Sequence, residues 1–395
     1  NACDAGREGE LIFKHVYDLS GSKKPVKRLW ISSLEDSAIL DGMQHLRSAE
    51  EYRHLAEAAV CRSQADWLVG MNATRAYTTK YFKKLTVGRV QTPTLAMLVE
   101  RAGQISNFQK EKYFNVELDC DGIPAVKPKI FDPDEAEQLR SRCHGNEAIV
   151  TSVKETEKKV KAPKLYDLTT LQREANRIYG MTAKQTLDTA QSLYEKKLIT
   201  YPRTDSQYLT EDMEQTARNV VRQIYEKYQL TGPFDQPEQP DVKKVMNNSK
   251  VTDHHAIIPT MELASSHLDE LKSWEEKILF LIAVHTVMAM SKDHIYQETE
   301  IEVECQGEIF KAKGRTVLQD GWKLFENCFK NKDRMAIVDP DQEMKERMPK
   351  VTQGQTFYAV AAEKTEHFTS PPKPYSDVIF CERKEWIGIE ERSSA

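Results

Sequence analysis

The sequence lacks four features that would have placed it in common functional classes. It has no apolar run near eighteen residues, so we expect no membrane-spanning helix. Its seven cysteines lie far apart without a C-x-x-C pair, so neither a zinc site nor a disulfide framework is expected. No G-x-x-x-x-G-K-[ST] segment is present, and we therefore expect no nucleotide cofactor. No charged-then-apolar leader stands at its start, so we expect a soluble cytoplasmic protein.

The chain also lacks an excess of positive charge, because its formal net charge is −5. Sequence-independent attraction to phosphate normally needs a basic surface. The stretch from Arg62 to Arg101 is the local exception, with seven cations against Asp66 and Glu100, and with Tyr77, Tyr81 and Phe82 interleaved among the cations. Cations alternating with rings favour a groove that follows phosphates and stacks bases. The alternative is a solvated helical face.

Hydrophobic periodicity predicts alternating helical and strand-rich regions in a chain long enough for several domains. Alternation predicts strands at 114–118 and 149–153 and a hairpin turning at Gln306-Gly307. Helices are predicted mainly over 34–78, after Asp132, over 168–179, over 182–195 with Thr182 as its cap, and as an amphipathic helix over 274–290. The charged stretch 154–161 is interpreted as an inter-domain connection and 232–252 as a loop. The strand-rich segments on either side of the helical region are expected to form one interrupted domain.

An acidic turn leads into the first predicted helix. Asp4 and Glu8 are four residues apart, so both carboxylates could face one hard cation, for which Mg²⁺ is suited. The helix start after Gly9 supplies free backbone N–H groups that favour a nearby anion. The alternative interpretation is an acidic helix cap without a metal, because Asp and Glu are favoured there anyway.

The segment Ile199-Thr200-Tyr201-Pro202-Arg203 places a phenol and a guanidinium at the end of a predicted short strand. A phenol has a pKa near 10, so it becomes a useful nucleophile only where a cation or base favours the phenolate. Arg203 could bind a phosphodiester oxygen and stabilise charge that develops during phosphoryl transfer. A surface tyrosine beside a turn is the alternative.

A third segment, His254-His255-Ala256-Ile257-Ile258-Pro259-Thr260, contains adjacent histidines. Neighbouring side chains point in different directions, and no third ligand stands at the spacing of a zinc protease. One imidazole near a phosphate is the more economical interpretation, as a cationic donor or a proton carrier.

These segments, in this order, resemble type IA DNA topoisomerases, and most closely bacterial topoisomerase III. Four motifs carry the resemblance over about residues 1–375: the acidic turn, Gly88-Arg89-Val90-Gln91-Thr92-Pro93, the tyrosine segment through Ser206, and the histidine segment. The resemblance implies a multidomain fold combining α/β, α and β parts: a partial Toprim domain, helical gate domains with a winged-helix-like module, and a β-rich arch domain. The domain boundaries expected are 1–55 (partial Toprim), 56–112 (helical, DNA-binding), 113–160 and 296–370 (arch), 161–295 (helical, with the tyrosine) and 371–395 (divergent tail).

The same resemblance implies the functional residues. Tyr201 matches the nucleophile that becomes linked to a 5′ phosphate, Arg203 the arginine that grips that phosphate, and His254 the histidine that assists cleavage. Asp4 and Glu8 match ligands of Mg²⁺, with Glu8 also counted as catalytic. The expected DNA-binding residues are Arg62, Asp66, Arg89, Gln91, Thr92, Thr204 and Asp205. The implied partner is single-stranded DNA or underwound duplex, the implied activity ATP-independent strand passage in relaxation or decatenation, and the implied state a cytoplasmic, nucleoid-associated monomer without membrane attachment.

Three departures from the family pattern affect these expectations. Gly6 stands where the family's D-x-D-x-E motif has its middle acid. The family's E-x-P-S-x-A-K strand has no counterpart, so we expect exposed apolar surface in the Toprim part. The segment after Tyr375 matches no expected gate helix. Two alternatives therefore stay open: a single-stranded DNA-binding accessory protein without catalysis, and a Toprim nuclease or primase relative.

Overall fold

The computed structural model describes residues 1–31, 36–230, 240–251, 254–266, 268–325 and 350–375. Two compact units account for these residues, and each is composed of segments far apart in the sequence. The first unit contains residues 1–101 and 163–291 together with Tyr375, and the second contains residues 102–162 and 292–374. The predicted divergent tail after Tyr375 lies outside the described residues.

The N-terminal segment of the first unit is mainly helical. Its elements are α1 (Arg7–Ser20), β1 (Lys27–Arg28), α2 (Asp36–Gln44), β2 (Arg47–Ser48), α3 (Arg53–Tyr81) and α4 (Gln91–Ser106). The short strands β1 and β2 pair antiparallel, which interrupts the helix predicted over 34–78. α1 packs on α3. Ile12, Val16 and Leu19 of α1 are exposed, so the expected exposed apolar surface is present.

A bundle of four helices forms the other part of the first unit: α6 (Leu168–Tyr179), α7 (Ala183–Glu195), α8 (Glu214–Tyr228) and α9 (Ser273–Ala289). The predicted boundaries of α6 and α7 are confirmed, and the Thr182 hydroxyl accepts a hydrogen bond from the Gln185 N–H at 3.2 Å, as its cap role requires. The helix predicted over 274–290 is confirmed as α9, but the prediction that it is amphipathic was wrong. α9 is buried on nearly every side, because the helices α6, α7 and α8 all pack against it.

The second unit contains a seven-stranded antiparallel sheet, with α5 (Pro133–Cys143) packed on it. Its strands are β3 (Lys112–Cys120), β4 (Ile123–Ile130), β5 (Ala148–Val160), β6 (His294–Cys305), β7 (Glu308–Gln319), β8 (Thr356–Phe357) and β9 (Ala361–Phe368), in the spatial order β8-β5-β6-β7-β4-β3-β9. The predicted hairpin turn is confirmed, since Gln306 and Gly307 both adopt left-handed φ values, 52° and 81°.

The interpretation of residues 154–161 as an inter-domain connection was wrong. Residues 154–160 are the second half of β5 and pair with β6 from Lys154 opposite Glu300 to Val160 opposite His294. Charged residues remain in this strand because they are largely solvent-exposed, and Lys158 forms a diagonal ion pair at 3.8 Å with Glu298 of β6, two residues beyond its direct partner Tyr296. Among the described residues, no helix is long and apolar enough to cross a membrane.

Candidate active site

The tyrosine and histidine segments, predicted separately, lie against each other. Ile199 and Pro259 form an antiparallel bridge, the Thr200 N–H donates to the Ile258 carbonyl at 3.0 Å, and the Thr260 N–H donates to the Leu198 carbonyl at 3.0 Å. The strand predicted to end at Tyr201 is therefore reduced to an isolated bridge. Pro259 is tolerated here because the pairing uses the N–H groups of Thr200 and Thr260, so its missing N–H costs this bridge no hydrogen bond.

The hydroxyl of Thr200 strengthens this pairing. Its Oγ1 donates to the Ala256 carbonyl at 3.0 Å and accepts the Ile258 N–H at 3.0 Å. One side chain thus satisfies two backbone groups of the histidine segment. Because Thr200 immediately precedes Tyr201, these bonds fix the backbone that carries the phenol.

Thr204 connects the two segments on the other side of Tyr201. Its Oγ1 donates to the His254 carbonyl at 2.9 Å and accepts the Ser206 N–H at 3.1 Å, and the residue is buried. The hydroxyl predicted to contact DNA is therefore already bonded inside the protein. Asp205, in contrast, is exposed.

The Tyr201 ring lies between two other rings. Its centroid is 4.3 Å from that of His254, in a tilted arrangement, and 5.3 Å from that of Tyr194, in an edge-to-face arrangement. Edge-to-face packing is a favoured geometry for aromatic pairs. The phenol is thereby held by a residue of α7 on one side and by the histidine segment on the other.

Asp4 brings the acidic turn to the same place. A carboxylate oxygen of Asp4 lies 3.9 Å from the Nε2 of His254. The helix start predicted after Gly9 was wrong, because α1 begins at Arg7 and Gly9 lies in its first turn. Only glycine fits at this position, since a Cβ there would lie 2.1 Å from the Asp4 carbonyl oxygen. The structure therefore brings together Asp4, Tyr201 and His254, three of the residues predicted from separate segments.

A buried ion pair supports the acidic turn from behind. Arg28 is 1% exposed and donates from its Nε to Glu10 at 2.6 Å, while its other nitrogens donate to the Cys3 and Asp4 carbonyls at 2.6 Å each. Its guanidinium thus satisfies the carbonyls that precede the helix and neutralises Glu10.

The surroundings shift two pKa values in the site. Burial raises the pKa of the Tyr201 phenol, the Asp4 carboxylate raises it further, and Arg203 opposes both. Burial lowers the pKa of His254, while Asp4 and Asp205 oppose that shift. In this state the phenol holds its proton at neutral pH and the imidazole is favoured in its neutral form.

Two further predicted residues are accessible to solvent. Arg203 and Glu8 are exposed, and within the described part of the chain neither forms an ion pair. Asp4 and Glu8 supply two carboxylates, and Mg²⁺ is commonly held by one or two carboxylates together with waters and phosphate oxygens. The donor chemistry thus fits Mg²⁺, although the described residues contain no group of three or more candidate metal ligands.

Five of the predicted DNA-binding residues lie around α3 and the start of α4: Arg62, Asp66, Arg89, Gln91 and Thr92. Arg89 donates from its Nε to Asp66 of α3 at 3.1 Å, and both side chains are about half exposed. Arg62 lies one helical turn before Asp66, and Gln91 begins α4. The Thr92 hydroxyl accepts the Gly88 N–H at 3.1 Å, so it stabilises the loop that carries Arg89.

Sequence reasoning missed Tyr194, Thr200 and the pair Glu10 and Arg28. Spacing offered one signal: Tyr194 lies in the last turn of a predicted helix, seven residues before Tyr201. The Glu10–Arg28 pair left no such signal, since neither residue type indicates burial by itself.

Comparisons with known proteins agree on one family. A family model described as DNA topoisomerase matches residues 50–382. The chain is 39% identical over 388 residues to the DNA topoisomerase 3 of Bacillus subtilis and 38% identical over 382 residues to that of Staphylococcus epidermidis, covering 95% of this chain and 52% of each relative. It therefore spans about half the length of these curated relatives. The structure of full-length topoisomerase I from Thermotoga maritima has a similar fold, with a TM-score of 0.76 at 24% identity, covering 98% of this chain and 63% of that one.

Proposed function

The chain belongs to the type IA DNA topoisomerase family and resembles topoisomerase III, and from that premise we propose that Tyr201 cleaves one strand of DNA in an ATP-independent strand-passage reaction. The observation that carries the proposal is that Tyr201, His254 and Asp4 lie together in one cluster, in which the Asp4 carboxylate is exposed to solvent. A tyrosine packed against an imidazole beside a carboxylate can act as a nucleophile, because a proton acceptor lies next to the phenol.

In the proposed reaction the Tyr201 oxygen attacks the phosphorus of a phosphodiester. The bond from phosphorus to the 3′ oxygen breaks, the 5′ phosphate becomes linked to the tyrosine, and the departing strand takes up a proton as its 3′ hydroxyl. The phosphotyrosine bond retains the energy of the broken bond, so religation by the reverse reaction needs no nucleotide. Passage of DNA through the break would relax or decatenate it.

Proton and charge movements follow from the pKa directions. A phenol whose pKa is raised needs a partner to take its proton, and a buried imidazole whose pKa is lowered is neutral and can accept it. We therefore assign His254 the role of a proton carrier, in preference to that of a permanently protonated, cationic group. Arg203, exposed and unpaired among the described residues, would bind the attacked phosphate and stabilise its developing charge.

Asp4 and Glu8 would hold Mg²⁺, and Glu8 would also take part in catalysis. When bound, the ion would supply positive charge to the phosphate oxygens. Asp4 would then serve two groups, since its carboxylate also faces His254. Gly6 contributes no carboxylate at the position of the family's middle acid, so this chain would hold the ion with fewer protein ligands.

Single-stranded or underwound DNA would reach the cluster along α3. Arg62, Arg89, Gln91 and Thr92 would line that approach, with Asp66 orienting Arg89 through their ion pair. Asp205 lies exposed near the phenol, whereas Thr204 would act by holding His254. We propose a monomer acting on nucleoid DNA in the cytoplasm.

The test is covalent capture. The chain is incubated with a single-stranded oligonucleotide labelled at its 3′ end, which stays on the fragment linked to the tyrosine, and with Mg²⁺. The reaction is quenched with detergent and examined for a labelled protein band. We expect an adduct with the native chain and none with Tyr201→Phe. Tyr208→Phe, a phenol removed from the same segment, is the matched control and should retain the adduct. An adduct that persists in Tyr201→Phe would refute the assignment of the nucleophile.

The absence of a middle acid at Gly6 favours one second candidate, a single-stranded DNA-binding protein without catalysis. Under that alternative the native chain binds the oligonucleotide but forms no adduct with any divalent cation.

A further inference from the structure

The C-terminal end of α3 carries an exposed surface of rings and cations, composed of Tyr77, Lys80, Tyr81, Phe82, Lys83 and Lys84, which we call the α3-end surface. Phe82 is 95% exposed, and Tyr77 and Tyr81 are 51% and 55% exposed. The two tyrosine rings stack with centroids 6.0 Å apart, and the Lys80 ammonium lies 5.7 Å from the Tyr81 ring centre. Large rings are rarely left this exposed without a partner.

The backbone at Phe82 is unusual as well. Phe82 ends α3 with φ 51° and ψ 30°, the left-handed conformation that glycine adopts readily and that is strained for a bulky residue. Glycine would close the helix at lower cost. The chain instead places a phenyl ring there and leaves it in solvent, so a stability role does not explain the residue.

The loop after Phe82 runs back along α3 toward the proposed DNA approach. The Leu85 N–H donates to Thr78 Oγ1 at 3.2 Å, the Val87 N–H donates to Thr74 Oγ1 at 3.0 Å, and Arg89 reaches Asp66 at 3.1 Å. Successive residues of the loop thus contact successively earlier turns of α3. The α3-end surface and Arg89 therefore lie on one continuous strip of α3 and its loop.

The charge of this strip contrasts with that of the whole chain. Between Asp66 and Glu100 the sequence has no acidic residue and five cations, namely Arg75, Lys80, Lys83, Lys84 and Arg89, whereas the whole chain has a formal net charge of −5. A locally cationic strip on an acidic protein is complementary to a polyanion. The interleaved rings favour a polyanion that also presents flat faces.

We infer that the α3-end surface is a second contact site for single-stranded DNA, where unpaired bases stack on Tyr77, Tyr81 and Phe82 and the lysines contact the flanking phosphates. The inference rests on the proposed function, because it extends the proposed path of the strand along α3 beyond Arg89. Duplex DNA would not stack on these three rings, because its bases are already stacked on each other.

The decisive variant is Phe82→Gly, because its two effects have opposite signs. Removing the strained side chain should raise the midpoint of unfolding. Removing the ring should weaken binding of a fluorescent oligothymidylate about five-fold, which corresponds to the lower limit of the stacking free energy of one base. Gln229→Gly is the matched control. Gln229 ends α8 with φ 48°, so this change should also stabilise the fold while leaving DNA affinity unchanged.

Two further comparisons separate stacking from charge. Tyr81→Leu should weaken binding to oligothymidylate but not to an abasic strand of equal length, since the latter has no bases to stack. Lys83→Gln with Lys84→Gln should weaken binding to both strands and flatten the plot of log affinity against log salt by about 0.7 per cation removed.

The outcomes distinguish this inference from the proposed function. If the native chain binds oligothymidylate and Phe82→Gly and Tyr81→Leu bind equally well, the second contact site is refuted while Tyr201 chemistry stands. If the ring variants lose affinity equally for the abasic strand, or lose affinity for anionic vesicles instead, base stacking is refuted. Failure of covalent capture by Tyr201, with the ring effects intact, refutes only the proposed catalysis.

Discussion

The Nε2 atom of His254 lies 3.9 Å from a carboxylate oxygen of Asp4, although the two residues come from opposite parts of the sequence. This contact makes Asp4 more than a candidate metal ligand. Its charge raises the pKa of His254 and that of the neighbouring Tyr201. One carboxylate therefore influences both the group proposed to lose a proton and the group proposed to receive it.

We predict that Asp4→Asn lowers the pKa of both residues. For His254, loss of the carboxylate removes the stabilisation of the charged ring, so the imidazole stays neutral to lower pH. For Tyr201, loss of a nearby negative charge makes the phenolate easier to form. NMR titration of labelled rings without metal measures both values. Glu8→Gln should change neither pKa, and equal shifts in that variant would contradict a specific role for Asp4.

Gly9→Ala should destabilise the acidic turn by about 1–3 kcal/mol, as overpacking commonly does. The new Cβ would meet the Asp4 carbonyl oxygen at 2.1 Å, so the turn must shift. Gly103→Ala in α4 is the control, because its Cβ would meet nothing within 4 Å and alanine favours a helix by about 0.5–1 kcal/mol. Denaturant unfolding measures both, and a stabilising Gly9→Ala would show that the close approach is not maintained in solution.

Thr204→Val should cost about 1–2 kcal/mol, because it removes the hydroxyl that bonds the His254 carbonyl and leaves buried polar groups without partners. Thr204→Ser keeps the hydroxyl and should retain most of that stability. The same pair should differ in the titration of His254, since only valine releases its backbone. Identical unfolding midpoints for valine and serine would mean that this hydrogen bond does not hold the histidine segment.

The α7–α9 contact should lose stability in acid. Burial raises the pKa of Glu275, but hydrogen bonds from Lys196 and Ser192 outweigh it and bring the pKa down to about 2 from 4.5. A lowered carboxylate pKa stabilises the fold above about pH 4.5, and that contribution disappears as the pH falls toward 2.

Glu275→Gln should remove this acid dependence at a cost of about 2 kcal/mol near neutral pH, whereas Glu276→Gln, at an exposed neighbouring position, should leave both unchanged. Unfolding followed between pH 2 and pH 7 gives the comparison. An unchanged pH profile in Glu275→Gln would place the acid-sensitive group elsewhere.

Local patterns predicted the elements that depend on neighbouring residues. The boundaries of α6 follow from its apolar periodicity and from Asp167 and Gly180 at its ends, and the hairpin follows from Gln306-Gly307. Charge misled the prediction for residues 154–160, because a charged segment can form a strand when its charged side chains stay exposed to solvent. That partner, β6, lies beyond the whole helical region and could not be identified from spacing.

In the candidate site, too, local patterns identified single residues but not the contacts between them. The motifs identified Tyr201, His254 and Asp4 individually, and their meeting depends on tertiary contacts that no local pattern encodes. Tyr194 is such a case, since its significance comes from packing against the Tyr201 ring at 5.3 Å. Thr200 likewise acts through a hydroxyl bonded to residues 256 and 258.

The pairing of Val160 with His294 places the two ends of the helical region on adjacent strands of one sheet. Closing a long loop, such as the helical region between these strands, costs only slightly more entropy than closing a short one. The strands of the sheet can therefore pair before the helices fold. The chain then consists of two compact units, which we expect to unfold separately. Its thermal denaturation should consequently require at least two transitions, and a single melting temperature would be an inadequate description of how this protein unfolds.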